Sequence, residues 1–149
     1  MDKEKLSKYR AEVIIEFINI EKIMNAIISQ HYFKKVVLPF YLEVLYDELF
    51  SFGLRRRIVE KIIVGIDKQK VEDLNRLNTI RNYFAHCDLE LFETSDTDKK
   101  HGKVVDPRNI QKEIDFESLH SEFMQKKTGV LDYLIKLFKD LGGAMLIAG

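Results

Sequence analysis

The sequence predicts an all-α fold, an up-and-down bundle of four to five helices with a short hairpin or loop insertion at about 89–108. Three observations predict it. Apolar residues recur at three- and four-residue steps over long stretches at both ends of the chain. Seven Gly and two Pro in 149 residues are too few turn-makers for a loop-rich sandwich. The length suits one globular domain, residues 1–149, and 46% hydrophobic residues can fill its core.

From Lys3 to about His31, Leu6, Val13, Ile14, Phe17, Ile18, Ile20, Met24, Ile27 and Ile28 keep helical spacing among charged residues, which predicts a long first helix. Pro39 suits the start of a short second helix carrying Phe40, Leu42, Val44, Leu45, Leu49 and Phe50, with Ser51-Phe52-Gly53 as its stop. Leu54 to Ile66 reads as the third, lined by Ile58, Ile62, Ile63 and Ile66 and ended by Gly65 and Asp67. A fourth runs from about Lys70 to Cys87. Between Leu89 and Arg108 the pattern alternates and then turns polar, which reads as the hairpin or loop. Helical spacing returns from Asp115 to Leu141 and closes at Gly142-Gly143, and the tail 143–149 is expected to fray.

Twenty-four Lys+Arg against 24 Asp+Glu give a formal net charge of zero, so the chain does not coat nucleic acid by bulk charge, and any function must come from a local site. The one cysteine, Cys87, excludes an internal disulfide and a cysteine-held metal, and suits a cytoplasmic protein. The start, Met1-Asp2-Lys3-Glu4-Lys5, lacks the apolar core of a leader. The most apolar stretch, Val13 to Ile28, is broken by Glu16, Asn19, Glu21 and Lys22, so no membrane span is expected.

The informative stretch is Leu74-Asn75-Arg76-Leu77-Asn78-Thr79-Ile80-Arg81-Asn82-Tyr83-Phe84-Ala85-His86. On a helix, Leu74, Leu77, Ile80 and Phe84 form the apolar side, and Asn75, Asn78, Asn82 and His86 fall together on another. A face that is merely solvated would carry the Lys and Glu this chain uses elsewhere, so the uncharged stripe suggests partial burial against a partner surface. Arg81 lies about 140 degrees from His86, beside the apolar side. Two copies paired through this helix would bring two arginines and two histidines into one cleft. Histidine titrates near neutral pH and can move a proton at a 2′-hydroxyl, while arginine can hold phosphoryl oxygens with two donors. That is what RNA cleavage without a metal requires.

An Arg followed five residues later by His is a weak signal alone, expected about 0.2 times by chance for this composition. The wording Arg81-Asn82-Tyr83-Phe84-Ala85-His86 is more specific. It resembles the signature of the HEPN superfamily: arginine, four to six residues, then histidine, commonly with a polar residue after the arginine. The resemblance implies a homodimer whose paired motifs form a metal-independent endoribonuclease site without a cofactor, acting as a toxin or in phage defence under an antitoxin or regulator. It implies Arg81 and His86 as the catalytic pair with Asn82 beside them and Glu21 as a supporting acid; Asn78, from the same stripe, is a further supporting candidate. The stretch from Leu77 to His86 also looks like the mannitol-operon-repressor-like branch, which implies a non-catalytic regulatory or interaction module. Where toxins silenced by a nucleotidyltransferase antitoxin often carry a tyrosine two residues after the histidine, this chain has Asp88.

The residues also admit plainer roles. Arg81 suits a core edge and His86 the field of a helix C-terminus, and nucleotide or RNA-end binding without turnover needs the same groups. Arg55-Arg56-Arg57 reads as a solvated helix face. Asp96, Asp98 and His101 lack regular metal-ligand spacing and read as a solvated tip, so no metal site is expected. His31 and His120 have no acidic partner nearby in sequence and read as surface or core-edge residues. Cys87 has no triad partners. Tyr32-Phe33, Phe40-Tyr41 and Phe92 read as core or interface fillers.

Overall fold

The computed structural model describes residues 3–86, 104–106 and 109–144. Among them the fold is an all-helical bundle with one two-stranded hairpin. Helix α1 (Lys3–Phe33) is followed by a π-helical segment (Phe40–Leu45), α2 (Phe52–Ile62) and α3 (Lys68–His86). Strands β1 (Val104–Asp106) and β2 (Asn109–Ile114) then lead into α4 (Phe116–Asp140).

The long helices follow the predicted spacing, and their ends have local causes. Asp67 Oδ1 accepts from the backbone N–H groups of Gln69 and Lys70 at 2.9 and 3.4 Å and opens α3. Asp115 Oδ1 does the same for Glu117 and Ser118, both at 3.1 Å, at the start of α4. At the far end of α4 the N–H of Gly143 reaches the Phe138 carbonyl at 2.9 Å and that of Gly142 reaches Lys139 at 2.8 Å. Gly142 sits at φ +88 there, the left-handed turn that glycine adopts without strain. Gly143, the first residue of the expected frayed tail, is thus tied to the helix; residues 145–149 lie outside the described residues.

Three boundaries differ from the reading of the sequence. Ser51-Phe52-Gly53 does not stop a helix but starts one, because Ser51 Oγ accepts from Leu54 N at 3.2 Å as the cap of α2. The preceding segment therefore shrinks to the π-helical Phe40–Leu45. The third helix ends at Ile62 rather than Ile66. The hairpin pairs Val104 with Ile114 and Asp106 with Asn109, so it reaches past residue 108, while 89–103 lies outside the described residues.

By packing, the chain divides into two compact units, Met1–Phe17 with Asn75–Lys127 and Ile18–Leu74 with Thr128–Gly149. The core of the first is Leu6, Val13 and Phe17 of α1, Leu77, Ile80 and Phe84 of α3, and Phe116 and Phe123 of α4, all buried. The Phe84 and Phe116 rings meet edge to face at 4.8 Å. Polar pairs join the same helices at the rim: Arg76 clamps Glu122 with two bonds of 2.8 and 2.7 Å, and Lys127 pairs with Glu16 at 2.8 Å.

The second unit buries Ile20, Met24, Ile27 and Ile28 of α1, Phe52 and Val59 of α2, and Val130, Leu134 and Phe138 of α4. It also buries a charge. Arg55, the first residue of the basic triplet, is not on a solvated face but only 7% exposed. Its Nε donates to Asn25 Oδ1 at 2.7 Å, Nη1 to Glu21 Oε1 at 3.3 Å and Nη2 to the Leu45 carbonyl, with the Phe50 ring 5.4 Å away. Complete pairing is what lets an arginine sit there. Burial and a hydrogen bond with Tyr46 push the nearby Tyr41 phenol well above its ordinary value.

Candidate functional site

The polar motif lies within the first unit, on the last turns of α3. Leu77, Ile80 and Phe84 hold one side of that helix in the core. This leaves Asn78 and Asn82 half-buried and Asn75 and His86 exposed. The stripe predicted from helical arithmetic therefore stands at the surface as one face, graded from half-buried in its middle to open at its ends.

Arg81 stands beside that face. Its guanidinium carbon lies 4.7 Å from the centroid of the buried Phe17 ring, a cation against an aromatic face. Its Nη2 donates to Asn78 Oδ1 at 2.9 Å, one turn back along the helix. Its Nε–H is buried and, among the described residues, has no hydrogen-bond partner. A guanidinium carries five N–H donors. One is used here, and the cation is held at a fixed place by a ring below it and an amide beside it. No hydrogen bond among the described residues joins Arg81 to Asn82 or to His86.

His86 is the last residue of α3, and its ring is exposed. Cys87 and Asp88, which follow it, lie outside the described residues, as do Asp96, Asp98, His101 and Phe92.

Within one chain, then, the structure joins Asn78 to Arg81 and leaves His86 open at the end of the same helix.

No family model, curated protein or solved structure matches this chain. The reading of the site thus stands on its chemistry and geometry. Among the described residues no group of three or more His, Cys, Asp or Glu side chains could hold a metal ion, and no helix is long and apolar enough to cross a membrane.

Two features escape sequence reasoning. Glu21, a candidate supporting acid, is in the second unit, and its carboxylate is brought to Arg55 rather than to the motif. His120, read as a surface or core-edge residue without an acidic partner nearby in sequence, has its Nε2 2.7 Å from Glu12 Oε2 and its ring stacked on Tyr9 at 3.8 Å with the planes 8° apart. The partner lies on α1 and the histidine on α4, so no local spacing could reveal the pair. A carboxylate on one ring nitrogen and an aromatic face on the ring fix His120 in orientation, which makes it a structural tie between those helices in the first unit.

Proposed function

We propose that the chain is a metal-independent endoribonuclease of the HEPN type, acting as a cytoplasmic homodimer paired through α3, with Arg81 and His86 of both copies lining one cleft. The observation that carries this reading is the state of Arg81. Its cation is anchored by Phe17 and Asn78 on a half-buried side chain, an arrangement suited to holding the oxygens of a phosphodiester through its Nη groups. The exposed imidazole of His86 supplies the proton chemistry.

In the proposed reaction the ribose 2′-oxygen attacks the adjacent phosphorus as His86 takes its proton. The bond from phosphorus to the 5′-oxygen breaks, and that oxygen leaves with a proton donated by the second copy's His86, which enters the reaction as an imidazolium. The products are a 2′,3′-cyclic phosphate and a 5′-hydroxyl. Arg81 holds the charge that builds on the nonbridging oxygens, and Asn78 keeps its guanidinium turned toward them. Such an activity suits a toxin or defence protein restrained by an antitoxin or regulator.

The test is incubation of the protein with total cellular RNA in excess EDTA, beside His86→Ala, followed by analysis of the fragment ends. Cyclic-phosphate ends from the wild type alone are the expected result. Intact RNA from a folded dimer would sink the proposal.

One observation favours a second reading, a non-catalytic regulatory or protein-interaction module. An arginine covered by a core ring and bonded to its own helix also serves packing, and a stripe of asparagines also serves pairing. In that case His86→Ala changes assembly or partner binding and no nuclease is found.

A further inference from the structure

The second unit carries an apolar surface that its own core does not use. Eight large apolar side chains between Tyr32 and Leu49 are 39 to 90% exposed, led by Leu49, Leu38, Leu42 and Tyr32. They are two thirds of the twelve such side chains exposed among the described residues, gathered in 18 successive residues. At about 150–250 Å² for a fully exposed aromatic side chain, and somewhat less for an aliphatic one, they present on the order of 700 Å². A stable interface takes about 800 Å² from each partner. Singly exposed apolar residues need no explanation, but eight within one 18-residue segment do, and several hundred Å² of apolar surface there suits an interaction site.

The segment is held in one shape. After α1, Lys34 turns the chain at φ +57, and Ser29 Oγ donates to the Lys35 carbonyl at 3.0 Å and accepts from Val37 N at 2.9 Å. The chain then doubles back along α1. The Phe33 and Phe40 rings meet at 4.9 Å, the Tyr41 hydroxyl donates to the Lys22 carbonyl at 3.3 Å, and Arg55 ties the Leu45 carbonyl to the level of Glu21. From Phe33 to Glu21 is about 18 Å along the helix.

Charge marks the two ends of this strip with opposite signs. Lys34 and Lys35 stand at one end, Asp47 and Glu48 at the other; all four are exposed, and none is in an ion pair among the described residues. We propose that the strip is a self-association surface on which two copies of this chain pair about a twofold axis. A twofold axis through the middle lays the lysine end of each copy on the acidic end of the other, twice over, and buries both apolar faces. With Glu43 included the strip holds two basic and three acidic residues, which does not suit an anionic membrane. This inference is independent of nuclease activity and of pairing through α3.

The test is sedimentation velocity of the full chain over micromolar concentrations, also in an Asn82→Arg background so that pairing through α3 cannot stand in for the strip. Leu38→Glu/Leu42→Glu, at exposed positions, is expected to abolish this association with the helical circular dichroism unchanged. Lys35→Glu and Glu48→Lys are each expected to weaken it about tenfold, because like charges then meet at both ends. An equimolar mixture of the two variants is expected to restore it, since every contact is again between opposite signs. A wild type that sediments like the double glutamate variant overturns the proposal. So does a mixture that stays as weak as its components.

Discussion

His86→Ala is expected to slow RNA cleavage by about two to four orders of magnitude, the range that a positioned proton-transfer group contributes. The fold should be almost indifferent, because the ring is exposed at the last residue of α3 and the core of that helix is made by Leu77, Ile80 and Phe84. A urea titration should place the variant within about 0.5 kcal/mol of the wild type, as for surface positions generally. The combination separates chemistry from structure. Cleavage that survives at close to the wild-type rate would remove the imidazole from the mechanism. Arg81→Ala does not separate them as cleanly, since it also uncovers Phe17 and frees Asn78.

Arg55→Ala should have the largest effect on stability, about 3–5 kcal/mol in the same titration. The substitution leaves the Glu21 carboxylate, the Asn25 amide and the Leu45 carbonyl without their donor, and Asn25 is 1% exposed with no easy route to water. Arg55→Lys should recover little, because an ammonium on a flexible stem cannot address three acceptors in the plane that the guanidinium does. A loss below about 1 kcal/mol would show that the second unit does not depend on this cluster.

These two arginines show how far the sequence could be read. Helical spacing alone put Arg81 beside the apolar side and out of the asparagine stripe, and its bond to Asn78 is a neighbour relation on one helix. Its seat on Phe17 comes from α1, and no local pattern signals it. Arg55 reads as part of a solvated triplet because Arg56 and Arg57 follow it. In fact Arg56 meets Glu60 at 3.0 Å one turn away, while Arg55 turns inward to two acceptors on α1 and one at the end of the π-helical segment. The same contrast holds for the fold. The three long helices follow from apolar periodicity, but Ser51-Phe52-Gly53 can close one helix or open the next, and only the bond from Leu54 decides between them.

The π-helical segment has a further consequence. Of its six residues only Leu45 is buried, so what fastens it is mostly polar: the Ser29 hydroxyl at its approach, the Tyr41 phenol along its length and the Arg55 guanidinium at its end. Opening it uncovers one core side chain, Leu45, and the Arg55 cluster, rather than the whole buried face of a long helix. Its amide hydrogens should therefore exchange with solvent through local opening, ahead of those in the middle of α1, and binding of a second copy should slow them. Exchange in this segment thus reports on its pairing while the long helices stay closed.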